Sequence, residues 1–540
     1  MFQQIAAVEA AGPRLGTAML KATSPRYLLV LSCVVLSGCA GFDNWLQNGF
    51  KVGPDYCKPV APIADQWIDF NDRRLISDAH YVDDAEWWTV FGDPGLDHLM
   101  QVSFSENLSL RAASMRVLQA QSQRAIAAGF LLPQSQEAVG NYQHIQLSAA
   151  GNSLGLPQAL LPRTTDFWSI GFNASWELDL WGRIRRNLES ANANLDVSVE
   201  DYDDILVCLL AETAVAYTEM RGFEQRLAYA RANVETQKGS LALAQSRFNN
   251  GAVSELDVTQ ARSNLAQTEA LIPVLAKGLR LANNRLCVLL GTPPRDLRPE
   301  IGPGPIPKTS PEVVVGIPAD LLRRRPDVRR AEREVALQSA QIGVAVADLF
   351  PTFRINGTLS WQAQEFSDLF TSAANGGNIG PSFNWNILNY GRIMNNVRVQ
   401  DARFQELAIK YQQTVLEANA ETEDAIVSFL ETQEQVKALA ESVAASERSV
   451  ELALTQYREG AIDFNRVFNL ESTLVQQQDQ LAIAEAEVAT SLIRIYKALG
   501  GGWQIRLQQH VASPVAPELT SVPEAGIIEE NEELVAPEPP

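Results

Sequence analysis

Two stretches of the chain repeat one another. Residues 168–184 read WSIGFNASWELDLWGRI, and residues 378–393 read NIGPSFNWNILNYGRI. In the first, Trp168, Ile170, Phe172, Ala174, Trp176 and Leu178 alternate with Ser169, Gly171, Asn173, Ser175 and Glu177. In the second, Ile379, Phe383, Trp385 and Ile387 alternate with Asn378, Gly380, Ser382, Asn384 and Asn386. Successive side chains of a strand point to opposite faces, so each stretch is a strand with one greasy and one wet face. At Trp181–Gly182–Arg183 and Tyr390–Gly391–Arg392 the period changes and a long helical pattern begins. The copies lie roughly 209 residues apart, far beyond a solenoid repeat of about 20–50 residues, so the chain is a duplicated half-protein.

The surrounding pattern repeats too. A helical pattern from about Leu96 to Leu131 stops before Pro133, and residues of strand character follow at 135–147, with uneven alternation. A Gly/Pro/Ser/Asn-rich exposed loop spans 148–165, and the alternating strand occupies 167–178. From Trp181 to Asn249 there is no proline, and Leu188, Leu195, Tyr202, Leu209 and Ala216 recur every seven residues, which implies left-handed winding against neighbouring helices. Asn249–Asn250–Gly251 breaks this helix and a shorter one runs from Ser254 to Leu290. The second half follows the same order: a helix from Pro326, strands at 352–362 and 378–387, a proline-free helix from Tyr390 to Arg458, a break at Gly460, and a helix from Asp463 to Leu499. The expected divisions are a signal peptide over 1–38, an extended segment over 39–95, a first repeat over 96–300, a linker over 301–317, a second repeat over 318–503 and an acidic, disordered tail over 504–540.

Lengths and strand count constrain the architecture further. A helix of roughly 69 residues spans about 100 Å, too long for a compact globule. Four strands cannot close a barrel, for which about eight is the smallest count. An open sheet edge in lipid leaves backbone groups unsatisfied. The chain must therefore pool strands with copies of itself. Three copies give a 12-stranded β-barrel (4 strands per chain) continued by a long α-helical barrel. The lipid-facing residues are Trp168, Ile170, Phe172, Trp176, Phe383 and Trp385.

Composition narrows function. The formal net charge of −20 argues against nucleic-acid binding, which needs a basic surface. Residues 511–540 hold seven Glu and no Lys or Arg. The five Cys and four His show no metal-ligand spacing, and no nucleophile–base pair is in evidence, so neither a metal, a cofactor nor an enzyme activity is expected. No apolar run after residue 40 is long enough for a transmembrane helix. Lys21 and Arg26 precede an apolar run from Tyr27 to Leu36, the pattern of a secretory signal, with Met19 an alternative start. Its end, Leu36–Ser37–Gly38–Cys39, resembles a bacterial lipobox, in which Cys39 becomes the acylated first residue; Ala40 after it favours the outer membrane. Cys208 and Cys287 sit in apolar helical runs and read as core; a second acylation at Cys57 is left open.

Four motifs carry a family resemblance: Val52–Gly53–Pro54–Asp55–Tyr56, Phe91–Gly92–Asp93–Pro94, the run from Ile317 to Val328 (IPADLLRRRPDV), and the run from Tyr496 to Trp503 (YKALGGGW). With them the chain resembles TolC-superfamily outer-membrane efflux lipoproteins of the OprM/NodT-like branch, from Cys39 to about Trp503. The resemblance implies a homotrimer, lipid-anchored in the outer membrane and reaching into the periplasm, that works with a periplasmic adaptor protein and an inner-membrane pump of the resistance–nodulation–division type. The implied function is a passive exit duct for small molecules. A type I protein-secretion duct and a structural periplasmic coiled coil are the competing readings.

The resemblance also places function. The turns at Gly251, Ala252 and Val253 and at Gly460, Ala461 and Ile462 are the expected adaptor contacts. Asp257 and Tyr457 are the expected partners in a link that holds the entrance shut. Related entrances often carry aspartate rings where this chain has Arg466 and Asn469, so a less anionic constriction is expected, with Asp463 and Glu471 as nearby carboxylates that could take the place of such a ring.

Overall fold

The computed structural model describes residues 45–46, 48–76, 84–146, 164–316, 318–320 and 324–512. The expected signal peptide, Cys39, most of the loop expected over 148–165 and the part of the expected tail beyond Ala512 lie outside these residues, and residues 164–165 belong to a strand. The chain divides into two compact units. The first takes the chain up to Tyr56 with Ala125–Ala191 and Leu337–Arg403; the second takes Cys57–Arg124, Asn192–Ala336 and the chain from Phe404 on.

The first unit holds a four-stranded antiparallel sheet of β2 (Ser135–Gln146), β3 (Thr164–Leu178), β5 (Thr352–Ala363) and β6 (Asn375–Asn384), in the order β2-β3-β5-β6. Phe172 lies opposite Leu359, Trp176 opposite Ile355, and Phe353 opposite Phe383. Trp168, Ile170, Phe172, Trp176 and Phe383 therefore share one face. The other face is polar: Ser175 donates to Asn356 (2.9 Å), which donates to Ser382 (2.8 Å). β2 breaks the pattern, because Val139 and Ile145 pair with Gly171 and Thr165 on the polar face. Tyr142 stays on the apolar face against Trp168, ring centroids 4.3 Å apart.

Trp385 departs from expectation, since β6 ends at Asn384. Its last pair is Thr352↔Asn384, and Pro351 before Thr352 has no N–H to extend the ladder. Trp385 instead donates its indole N–H to the Leu349 carbonyl at 3.0 Å and remains exposed. β6 also starts three residues earlier than expected, at Asn375. There Gly377 lies against β5 so closely that a Cβ would stand 2.8 Å from the Thr358 carbonyl oxygen.

In the same unit, the Val52–Gly53–Pro54–Asp55 motif is a strap on the start of the first long helix. Arg186 donates to the Val52 and Gly53 carbonyls and pairs with Asp55 at 3.0 Å. Gly53, at φ 86°, packs so tightly that a Cβ would meet Gly343 Cα at 2.4 Å. Trp45 packs on Trp181, which stacks on Phe350.

The helices, in chain order, are α1 (Pro94–Glu106), α2 (Leu108–Gly129), α3 (Arg183–Asn249), α4 (Glu255–Leu289), α5 (Arg298–Ile301), α6 (Pro326–Ala347), α7 (Arg392–Glu459), α8 (Phe464–Ala498) and α9 (Ile505–Ala512). None among the described residues is long and apolar enough to cross a membrane. The single helix expected over 96–131 is two, because Asn107 stops one and caps the next: its N–H bonds Ser103 O, its amide donates to Leu289 O, and its Oδ1 accepts from Leu110 N. The region expected to be tail opens with α9. The linker contributes β4 (Val313–Val314), which pairs in parallel with β1 (Leu75–Ile76).

The core of the second unit joins Trp87, Leu96, Leu99 and Met100 to Leu206, Leu210 and Tyr217 of α3, Phe429 of α7 and Ile493 of α8. Burial at this scale, at about 1.5–3 kcal/mol per large apolar side chain, holds the helices together. Asp93 caps α1 through Gly95 N and Leu96 N and also accepts from Tyr217 OH at 2.6 Å. In the run from Ile317 to Val328, Arg325 meets Asp327 and Glu421 of α7; just beyond it, Arg329 meets Glu200 and Asp203 and Arg330 meets Asp201 and Asp204, so the start of α6 is tied to α7 and to an acidic stretch of α3. Asp203, wholly buried, is also gripped by Arg506 of α9 at 2.7 and 2.9 Å, and the Arg329 guanidinium lies 4.1 Å from the Trp503 ring.

Candidate gate and partner-contact turns

The α3–α4 and α7–α8 turns close identically. Gly251 N bonds Phe248 O and Ala252 N bonds Arg247 O; Gly460 N bonds Tyr457 O and Ala461 N bonds Gln456 O. This double closure needs a left-handed residue, supplied by Gly251 (φ 74°) and Gly460 (φ 83°). A Cβ on Gly251 would meet nothing within 4 Å, and one on Gly460 only the Arg247 guanidinium at 3.2 Å. The backbone thus demands glycine while the surface stays open. Ala252 and Ala461 are exposed, and Val253 and Ile462 are half-buried against a small core.

That core is built of Ala244, Val258, Ala261, Ala453, Phe464 and Val467 around Tyr457, which is wholly buried. Tyr457 OH donates to Asp257 Oδ2 at 3.1 Å, joining α7 to α4. The Arg247 guanidinium sits 4.7 Å from the centre of the Tyr457 ring and donates to the Tyr457 carbonyl, joining α3 as well. Burial, then the neighbouring Asp257 charge, pushes the phenol up to about 12, so it stays a neutral donor.

The structure thus brings Asp257 and Tyr457 together. Arg466 and Asn469 are not part of this contact; both are exposed on α8. Of the two carboxylates considered in place of an aspartate ring, Asp463 is exposed and Glu471 is buried. Asp463 caps α8, accepting from Arg466 N at 3.2 Å. Glu471 is 3% exposed and bonded to Ser240 and Asn264. Arg247 was not singled out by the sequence reading, although it lies one turn before a predicted helix stop, where a cation favours the last carbonyls.

Elsewhere, Cys208 is half-buried and its thiol is pushed up to about 11 by burial, which makes it unreactive. Cys287 is buried and Cys57 exposed. His98 pairs with Glu300 and His144 with Asp166. Among the described residues no group of acids, His or Cys could hold a metal ion.

The first unit has a sheet with one apolar and one wet face, the chain has helices of 67 and 68 residues, and a Tyr457–Asp257 hydrogen bond lies beside their turns. The chain is 30% identical to nodulation protein T of Rhizobium leguminosarum bv. trifolii, over 86% of this chain and 96% of that protein. It is 31% identical to the pyoverdine export outer membrane protein OpmQ of Pseudomonas aeruginosa, over 88% and 96%. It superposes on the solved outer-membrane channel OprN with a TM-score of 0.78 at 33% identity, covering 84% of this chain and 99% of that one. The outer membrane efflux protein family matches residues 99–292 and 317–501, and the chain belongs to that family. It is an outer-membrane channel component of efflux systems, a passive conduit and not an enzyme.

Proposed function

We propose that three copies of this chain, each tethered through an acylated Cys39, form the exit duct of a tripartite efflux system that discharges small toxic molecules. The observation that carries this reading is the open sheet. Its order leaves β2 and β6 each with one side unpaired among the described residues. A lipid-facing sheet cannot keep such edges, and three sheets of four strands close on one another. The turns at Gly251 and Gly460 are the docking points of a periplasmic adaptor coupled to a resistance–nodulation–division pump. The Tyr457–Asp257 link, in three copies, holds the entrance shut until the adaptor engages.

Deletion of the gene is expected to sensitise cells to a panel of antibiotics, solvents and metals. The wild-type chain restores resistance, whereas Gly251→Asp and Gly460→Asp chains, present as trimers in the membrane, do not. Unchanged susceptibility in the deletion strain would remove the efflux reading.

Arg466 and Asn469 leave the exposed face of α8 without a carboxylate at those positions. Single-channel recordings are therefore expected to show little block by divalent cations added from the entrance side; strong block would contradict the less anionic constriction.

A further inference from the structure

Above the latch, α3 and α8 meet along a polar seam. Asn233 Nδ2 donates to Gln478 Oε1 at 2.7 Å, and seven residues further along both helices Ser240 meets Glu471 at 2.5 Å. Glu471 also accepts from Asn264 Nδ2 of α4 at 2.9 Å, and Asn264 Oδ1 accepts from Ser472 at 3.0 Å. Between the two layers lies Gln237, 2% exposed, with neither amide atom hydrogen-bonded among the described residues.

Counting protons shows that a protonated Glu471 can satisfy every contact of this cluster. The Ser240 hydroxyl has one hydrogen but two acceptors in range, Glu471 Oε1 and the Thr236 carbonyl at 3.2 Å. If that hydrogen goes to Thr236, the Ser240–Glu471 contact needs a proton from Glu471. A protonated Glu471 completes the chain: it donates to Ser240, which donates to Thr236, while its second oxygen accepts from Asn264. An ionised Glu471 is a buried anion that pairs with no cation among the described residues.

The charged groups on the packed elements are engaged elsewhere or exposed. On α3, Lys238 pairs with Glu235 and Arg247 holds Tyr457. On α4, Asp257 holds Tyr457, and Arg262 and Glu269 are exposed. On α7, Glu447 accepts from Gln478 and Arg448 pairs with Glu451. On α8, Asp463 caps the helix, Arg466 is exposed and Asp479 pairs with Arg226. Burial raises the Glu471 carboxyl above its ordinary value, and the bonds from Ser240 and Asn264 offset this only in part.

We propose that Glu471 is a proton-operated lock on the α3–α8 seam: protonated it keeps the seam closed, and ionised it favours separation of α8 from α3, which opens the entrance. This rests on the gate reading above for its location. The sign follows from linkage. The closed seam holds the proton more tightly than a hydrated, separated one. Its added stability is fully present below the ordinary carboxyl value and is lost as pH rises through the raised one. Gln237, with unspent hydrogen-bonding capacity, lowers the cost of parting because water satisfies it once the seam separates.

The test is pH-dependent gating of the purified full-length trimer in planar bilayers between about pH 5 and about pH 8. In the wild type the open-to-closed ratio is expected to rise with pH, by up to about tenfold per pH unit for each coupled protomer. Glu471→Gln, which preserves the shape and can still donate to Ser240, is expected to stay at the acid value throughout. Tyr457→Phe is expected to open more at every pH while keeping the slope. Amide hydrogen exchange of α3 and α8 peptides, corrected for intrinsic rates, gives a readout independent of the latch: protection falls with pH in the wild type and not in Glu471→Gln. A Tyr457→Phe conductance equal to the wild type at every pH, together with a Glu471-dependent exchange slope, would remove the latch and keep the lock. A wild-type slope in Glu471→Gln by both readouts would overturn the lock. If Glu471→Gln does not assemble, Ser240→Ala decides: a shifted midpoint supports the lock, and an unchanged one overturns it.

Discussion

Tyr457→Phe is expected to leave the trimer intact and make it conduct. The ring keeps its place among Ala453, Phe464 and Val467 and beneath the Arg247 guanidinium; only the hydroxyl that reaches Asp257 is lost. A hydrogen bond to a charged group contributes about 1.5–3 kcal/mol, and half-exposed Asp257 puts this one at the low end, about tenfold in the closed-to-open balance of one protomer. If three links act together the shift approaches about a thousandfold. Single-channel conductance measures it directly. Asp257→Asn, which retains a neutral acceptor, is expected to fall between the wild type and Tyr457→Phe. A Tyr457→Phe channel as tight as the wild type would show that the apolar packing around Tyr457, not its hydroxyl, keeps the turns together.

Asp203→Ala is expected to cost far more stability than any exposed ion pair in the chain. Asp203 is wholly buried and anchors both Arg506 and Arg329. Removing it takes from Arg506 its buried carboxylate and from Arg329 one of two, Glu200 remaining, a change of about 3–5 kcal/mol. Surface pairs such as Lys410–Glu406, both side chains more than half exposed, are expected to contribute about 0–1 kcal/mol. Thermal melting of the detergent-solubilised protein compares the two. The loss is expected to free α9 first, seen as early proteolysis after Arg506. An Asp203→Ala melting temperature equal to that of Lys410→Ala would refute the clamp.

How far the sequence could be read depended on whether an element's reason for existing was local. The long helices and the β3 strand announce themselves through periods of seven and two, and their ends follow from Asn–Gly and Glu–Gly turns. β2 was legible only as a strand, since Val139 and Ile145 face the polar side and blur its alternation. The break at Asn107 has no glycine or proline to signal it; its cause is a carbonyl, Leu289 O, 182 positions away. Trp385 kept the phase of a strand residue, but its ladder ends because of a proline just before the neighbouring strand.

The candidate site divides in the same way. The Asp257–Tyr457 pairing came from resemblance, and no local pattern ties residues 200 positions apart. Glu471 could have been placed from the sequence. Phe464, Val467, Leu474 and Leu481 are buried at alternating spacings of a heptad, and Glu471 and Gln478 fill the remaining steps of that stripe. A carboxylate in register with buried neighbours belongs inside, whatever its charge suggests.

The two turns close by the same hydrogen bonds yet carry different cargo. The residue that matches Tyr457 in the first half is Phe248, which lacks a hydroxyl and is 41% exposed. In a threefold assembly the rim would present six loops of common shape, of which every second one would carry the Tyr457–Asp257 bond. A collar of identical binding units seated on that rim would have to meet two kinds of socket in alternation. Such a collar must either come in threes or let its own members adopt two poses, so the ancient doubling of the gene sets the symmetry that any docking ring has to accommodate.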